Sequence, residues 1–255
     1  MAKWIRIDHK GRECFGTLDG DKVRIHSGNL FSNPQPTGEV VPLSAAKVLT
    51  PVAAGKMVAL VDNYRALVTK LNHAVPAEPL YFLKGTNSFL AHGETIRVPQ
   101  SYAGKVVYEG ELGIVIGKRC KAVSEADAPA HIFGYTCIND VTAAEILNKD
   151  PGFAQWTRAK SFDTFGVFGP VIATGLDPLK LSVKTILNEQ ERQNYPLADI
   201  IFSPARLVSL ISQDMPLEAG DVIACGTSVG VGSMKPGSSV SIVIEGIGTL
   251  TNRFE

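Results

Sequence analysis

Residues 105–118 run KVVYEGELGIVIGK. On a strand, side chains two apart share a face. Glu109 and Glu111 therefore point one way with Val107 and Gly113, while Val106, Tyr108, Leu112, Ile114 and Ile116 form an apolar opposite face. The pattern predicts a strand over Lys105–Ile116 with its apolar side on a core, and hence a β-rich chain. Two carboxylates about 7 Å apart along such a strand repel each other unless solvent or a cation compensates. A solvated outer face and a hard divalent cation both satisfy that requirement. Gly110 and Gly113 leave room for a ligand or another backbone to approach.

The next apolar run, His131–Asp140, ends in YTCINDVT. Asp140 there is either a strand-end or capping aspartate or a third carboxylate. Three carboxylates with water would offer Mg²⁺ or Mn²⁺ an oxygen-rich octahedral site. Thr142 and Glu145 form T-x-x-E, which predicts a capping box opening a helix through Leu147. Further on, WTRAKSFDTFGVFGP places Arg158 and Lys160 in an aromatic, Gly-rich segment. Either can be a surface cation with its stem on Trp156 or Phe162. Lys160 can instead set an ammonium beside a metal, to bind a substrate carboxylate or stabilise a developing enolate. The five histidines show no H-x-x-x-H spacing and no G-x-S-x-G occurs, which argues against a histidine zinc site and a serine triad.

Around this centre the chain is strand-rich. Asp62 or Asn63 can cap a short helix with Leu67, Val68 and Leu71 on one face, followed by a strand LYFLK. Ser203-Pro204 starts a second good helix, with Leu207, Leu210 and Ile211 inward. Short strands follow at Asp221–Cys225, Val240–Glu245 and Gly248–Thr251. Before all of these, Trp4–Ile7, Cys14–Leu18 and Lys22–Ile25 read as a small β-meander, with SGNLFSNPQPTGE after it as a long loop. A boundary near Pro51 divides a small N-terminal β domain, 1–50, from a catalytic domain, 51–255. Three or four helices without regular βαβ alternation argue against a Rossmann sheet or a TIM barrel. The glycines of GTSVGVG precede SMKPGSSV, which cannot open a helix, so a dinucleotide cradle is not expected.

The chain has 255 residues, 25 Lys plus Arg against 25 Asp plus Glu, and 45% hydrophobic residues. Zero formal charge gives no field to gather phosphates, so neither nucleic acid nor an anionic membrane is an expected partner. A core is affordable without disulfides at this length. The four cysteines, Cys14, Cys120, Cys137 and Cys225, have no C-x-x-C spacing and are expected to be reduced and mostly buried. The first residues, MAKWIRIDHKGRE, carry charges where a signal peptide needs an apolar run, so no leader is expected, and no stretch approaches about 18 apolar residues. A soluble, cytoplasmic protein is expected, and neutrality favours self-association.

The runs YEGELGIVIGK, GYTCINDVTAAEI, WTRAKSFDTFGVFGP, IIFSPARLVSLISQDMPLEAGDVIACGTSVGVG and IEGIGTLTNRF, in this order, closely resemble the fumarylacetoacetate hydrolase family. The resemblance covers about Pro51 to Glu255. It implies a mixed β-sandwich/β-roll catalytic domain, a homodimer, and Mg²⁺ or Mn²⁺ held by residues matching Glu109, Glu111 and Asp140. It matches Lys160 to the family's active-site lysine, Gly226 and Thr227 to the pair near the substrate carboxylate, and Lys84 to an F-x-K segment lining the site. The implied activity is metal-dependent C-C cleavage of an acylpyruvate-like 2,4-dioxo acid. The alternatives are an isomerase, tautomerase or decarboxylase of a 2-hydroxydienoate or 2-oxo acid, and a noncatalytic metal-binding member. One departure bears on this choice. The family's lid motif N-Y-x-x-H-x-x-E reads Asn63, Tyr64, Arg65, Ala66, Leu67, Val68, Thr69, Lys70 here, so its base is missing. Tyr64 is retained as a candidate substrate contact, and His73 is the histidine that could replace the base.

Overall fold

Gly110–Ile116 lies near the middle of a twelve-stranded sheet, in a computed structural model that describes all 255 residues. Its neighbours are Ile132–Asp140 and Val222–Ala224, both antiparallel. Beyond Val222–Ala224 come Met57–Val61, in parallel, and Leu80–Lys84 at the edge. On the other side Gly166–Ala173 follows Ile132–Asp140. All seven residues of Gly110–Ile116 are buried, so the strand is covered on both faces. A solvated glutamate face is excluded for Glu111 by that burial.

The strand expected over Lys105–Ile116 is two strands. Val106–Tyr108 pairs with Thr142–Ala143 and Gly232–Ser233 in a separate three-stranded sheet. The chain changes sheet at Glu109, which belongs to neither strand. Gly110 makes the crossing possible, because a Cβ there would clash with the Thr185 hydroxyl. The Gly110 N–H donates to Gln193 Oε1 at 3.0 Å, and its carbonyl accepts from Tyr195 at 2.5 Å and Thr227 at 3.0 Å. At Gly113 the space is filled by Ile138 and Thr136 side chains. The room expected at both glycines for a ligand or another backbone is thus taken by the protein's own side chains.

A five-stranded sheet, ordered Gln190–Pro196, Ser182–Leu187, Ser238–Ile244, Gly248–Phe254 and Thr95–Ile96, packs against the first. Four α-helices complete the fold: α1 (Arg65–Leu71), α2 (Ala144–Leu147), α3 (Trp156–Lys160) and α4 (Pro204–Asp214). The β-rich α+β class expected from the sequence is what the structure has. Helix α4 starts as expected, with the Ser203 hydroxyl accepting the Arg206 N–H at 3.2 Å and Leu207 and Ile211 buried. The other two expected caps do not form. Helix α2 has no side-chain cap. Thr142 instead donates to Glu109 Oε1 at 2.8 Å, and Glu145 accepts the Lys105 N–H at 2.8 Å. Helix α1 begins after Tyr64 without a side-chain cap, because Asp62 and Asn63 are engaged elsewhere.

Residues 3–42 form the expected meander and one strand more: the strand Gln35–Pro42, which begins inside the expected loop, pairs with Lys22–Ser27. This meander joins the large sheet through Lys3–Trp4 against Ile172–Ala173. All four cysteines are free and three are buried. No helix is long and apolar enough to cross a membrane.

Candidate metal and substrate site

Antiparallel pairing of Gly110 with Asn139 and of Glu111 with Ile138 sets the register that brings the acids together. One step further, the Asp140 N–H donates to the Glu109 carbonyl at 2.9 Å. Glu109 and Asp140 are thus opposite each other, with Glu111 on the adjacent diagonal of the same face. One oxygen from each of Glu109, Glu111 and Asp140 lies within 4.8 Å of the others. Glu111 and Asp140 are fully buried, while the Glu109 side chain is 16% exposed.

Two buried lysines partly neutralise the cluster. Helix α3 stacks Trp156 on Phe82 at 5.6 Å, and its last residue, Lys160, passes over the Phe82 ring. Lys160 Nζ then donates to Glu109 Oε2 at 2.8 Å and Asp140 Oδ2 at 2.7 Å. Lys84, at the end of its strand, donates to Asp140 Oδ1 at 2.5 Å and to the Lys160 carbonyl. With every group ionised, three carboxylates against two ammonium groups would leave one net negative charge in the cluster.

The protonation preferences follow from these contacts. Burial disfavours the Lys160 ammonium, but Asp140, Glu109 and Glu111 outweigh it and hold the group above the ordinary lysine value. Burial likewise raises the Asp140 carboxyl, and Lys160 with Lys84 more than reverse that. For Lys84 burial wins over Asp140, and its ammonium is pulled below the ordinary value. Glu111 is the unbalanced member. Burial, reinforced by the Asp140 charge, pushes its carboxyl well above the usual range. Its Oε2 accepts the Gly226 N–H at 2.9 Å, and its Oε1 has no partner at all. A buried acceptor left unmade is costly, and an oxygen-seeking divalent ion supplies what it lacks. The acidic triad is therefore suited to hold a metal.

Glu109 and Lys160 also line a cavity of about 590 Å³ together with Thr227, Trp156, Leu67 and His73. His73 follows α1 and sits 2.7 Å from Asp62, through Nδ1 and Oδ2. A carboxylate oxygen accepts, so Nδ1 donates in this contact, and in the neutral ring Nε2 is then the nitrogen with the lone pair.

Residues 56–255 match the family model "Fumarylacetoacetate (FAA) hydrolase C-terminal", and residues 2–51 match "Rv2993c-like, N-terminal". The chain belongs to the fumarylacetoacetate hydrolase family. Oxaloacetate tautomerase YisK of Bacillus subtilis is 32% identical, over 95% of this chain and 85% of its own. A 2-hydroxyhepta-2,4-diene-1,7-dioate isomerase from Mycobacterium marinum shares the fold with a TM-score of 0.91 and 37% identity, covering 100% of this chain and 98% of its own. A fumarylacetoacetate hydrolase from psychrophilic Exiguobacterium antarcticum has a TM-score of 0.84 and 28% identity, covering 100% and 99%. Members of the fumarylacetoacetate hydrolase family are enzymes, and these three differ in the reaction their names give.

Against the family pattern, several expected substrate contacts fall elsewhere in this chain. Lys84 has no exposed side-chain surface and is committed to Asp140 and Lys160, so it stands behind the acids. Tyr64 is buried with its ring 4.9 Å from Tyr195, and its hydroxyl has no partner. The Gly226 N–H is taken by Glu111. Thr227 does face the cavity, though its hydroxyl donates to the Gly110 carbonyl and accepts from Gln193 Nε2 at 2.9 Å. The role of Asp62 was not legible in the sequence, nor was the burial of Gln193. Asp62 resembles a helix cap, and Gln193 sits in the polar run NEQERQNY, which gives no sign of burial.

Proposed function

We propose that this chain is a divalent-metal-dependent hydrolase cleaving the C-C bond of an acylpyruvate or a closely related 2,4-dioxo acid. The supporting observation is the Asp62–His73 pair, which lines the same cavity as Glu109 and Lys160. It supplies a base where the family's lid histidine is replaced by Leu67.

Glu109, Glu111 and Asp140 would hold Mg²⁺ or Mn²⁺, and such an ion supplies a Lewis acid for charge developing on the substrate's adjacent oxygens. Lys160 adds a fixed positive charge beside it. Lys84 acts as a positioning residue by fixing Asp140. Thr227 contacts the substrate from the cavity wall, and Gly226 orients Glu111 through its N–H. His73 Nε2 takes a proton from water, whose oxygen adds to the acyl carbonyl carbon. The C-C bond then breaks, its electron pair staying on the pyruvyl fragment as an enolate. The proton on His73 returns to that carbon, and the products are pyruvate and a carboxylic acid. Asp62 holds the tautomer and steadies the imidazolium.

A homodimer and a cytoplasmic setting belong to the same reading, supported by the neutral chain and the family likeness. So does a division near residue 50, supported by the separate matches to 2–51 and 56–255. The second reading, an isomerase, tautomerase or decarboxylase that needs no activated water, is favoured by aliphatic Leu67 on the cavity wall. Turnover of 2,4-dioxo acids with Mg²⁺ in ¹⁸O-water separates the two. Pyruvate plus an acid carrying ¹⁸O in its new carboxylate is expected; a changed enol absorbance or CO₂ without cleavage contradicts the hydrolase.

A further inference from the structure

Beside the acids, the cavity has an apolar wall. Leu67 and Leu71 are four residues apart on α1 and so lie on one helix face, and both line it. Leu147, Trp156 and Val231 continue the lining. Leu71 is 47% exposed and Val231 39%, so this wall is not filled by the protein's own side chains.

The charged groups of the cavity are already paired. Lys160 is held by Glu109 and Asp140, and His73 by Asp62. No arginine and no second lysine lines the space. A carboxylate at the far end of a substrate would meet mostly apolar carbon with Asp62 nearby, and would lose its hydration without gaining a cationic partner, the Asn148 amide being the one uncommitted polar side chain on the wall. An alkyl tail loses nothing and covers the exposed leucines.

Resting on the function proposed above, we infer that this wall is the subsite for the substrate's tail, and that it selects an uncharged, apolar tail over one ending in a second carboxylate. Leu67 and Leu71 are the specificity-determining residues.

The test is binding of simple 2-oxo acids to the full chain with saturating Mn²⁺, by calorimetry: pyruvate, 2-oxopentanoate, 2-oxohexanoate, 2-oxoheptanoate and the dicarboxylate 2-oxoadipate. Affinity is expected to rise about threefold to fourfold per methylene along the monoanions. 2-Oxoadipate should bind at least about tenfold more weakly than 2-oxohexanoate, which has the same carbon count. Because Leu71 is exposed, Leu71→Arg should fold normally, lose the methylene increment and bind 2-oxoadipate about tenfold more tightly than the unmodified chain does. Pyruvate binding with a flat series, or with 2-oxoadipate preferred, in the unmodified chain overturns this inference alone. Failure of every oxo acid, pyruvate included, overturns the proposed function and this inference with it.

Discussion

Glu111 concentrates the tension in the site. Its carboxyl is fully buried, one oxygen is bonded only to the Gly226 N–H, and the other has no donor. In metal-free protein the native state holds the Glu111 proton more tightly than the unfolded chain, whose ordinary value is near 4.5. The corresponding stability is present below that value and is lost as pH rises through the higher folded value. Glu111→Gln removes this penalty. In chelator at neutral pH the variant should melt higher than the unmodified protein, by about 2–4 °C for each kcal/mol regained. Excess Mn²⁺ should reverse the order, since only the unmodified chain gains stability from binding. Asp140 behaves oppositely, because it neutralises two buried lysines. Asp140→Ala should cost about 3–5 kcal/mol in urea unfolding. His73→Gln should lower kcat by about 100-fold or more with little change in KM, as expected when a base is lost but binding is kept. At this scale Glu109, Glu111 and Asp140 were legible as candidates from their spacing and from a strand end, although Glu109 lies between two strands, and Lys160 was legible only through the family resemblance of its segment. The Asp62–His73 pair was not, since it depends on Asp62 adopting a φ of 53°, which no local pattern announces.

Among elements, the segment entering α1 is tied to the loop that orients Glu111. Asn63 Nδ2 donates to the Cys225 carbonyl at 2.8 Å, and Asn63 Oδ1 accepts the Phe202 N–H at 2.9 Å. Gly226 follows directly with a φ of 87°, and a Cβ there would lie 3.3 Å from the Asn63 Cβ. Gly226→Ala should therefore strain the loop by about 1–2 kcal/mol and turn its N–H from Glu111. The measurement is Mn²⁺ affinity alongside urea stability: affinity should fall by more than stability does. Strands Leu80–Lys84 and Ile132–Asp140 were readable from apolar runs. Gly166–Ala173, Ser182–Leu187 and Gln190–Pro196 were not singled out, because glycines and polar residues mask their pairing. The sheet change at Glu109 was hidden for a different reason. Alternation continues through Glu109 without interruption, and the break comes from distant partners such as Gln193, 83 residues from Gly110.

For the whole molecule, every charged group of the acidic cluster lies between residues 84 and 160, outside the N-terminal meander. The meander meets the rest through the Lys3–Trp4 pairing and through aromatic contacts of Trp4 and Phe31 with Phe133. Removing residues 1–50 should leave Mn²⁺ affinity within about twofold while exposing that strand edge and the Phe133 face, so the shortened chain should aggregate faster on heating. Light scattering during a thermal ramp measures this. The central claim at this scale is that Glu109, Glu111 and Asp140 form one divalent-metal centre. Its most direct measurement is a Mn²⁺ titration of chelator-stripped protein followed by calorimetry and electron spin resonance. One ion per chain in the unmodified protein and none in Glu111→Gln is the predicted result. Equal binding by both proteins, or none by either, would contradict it.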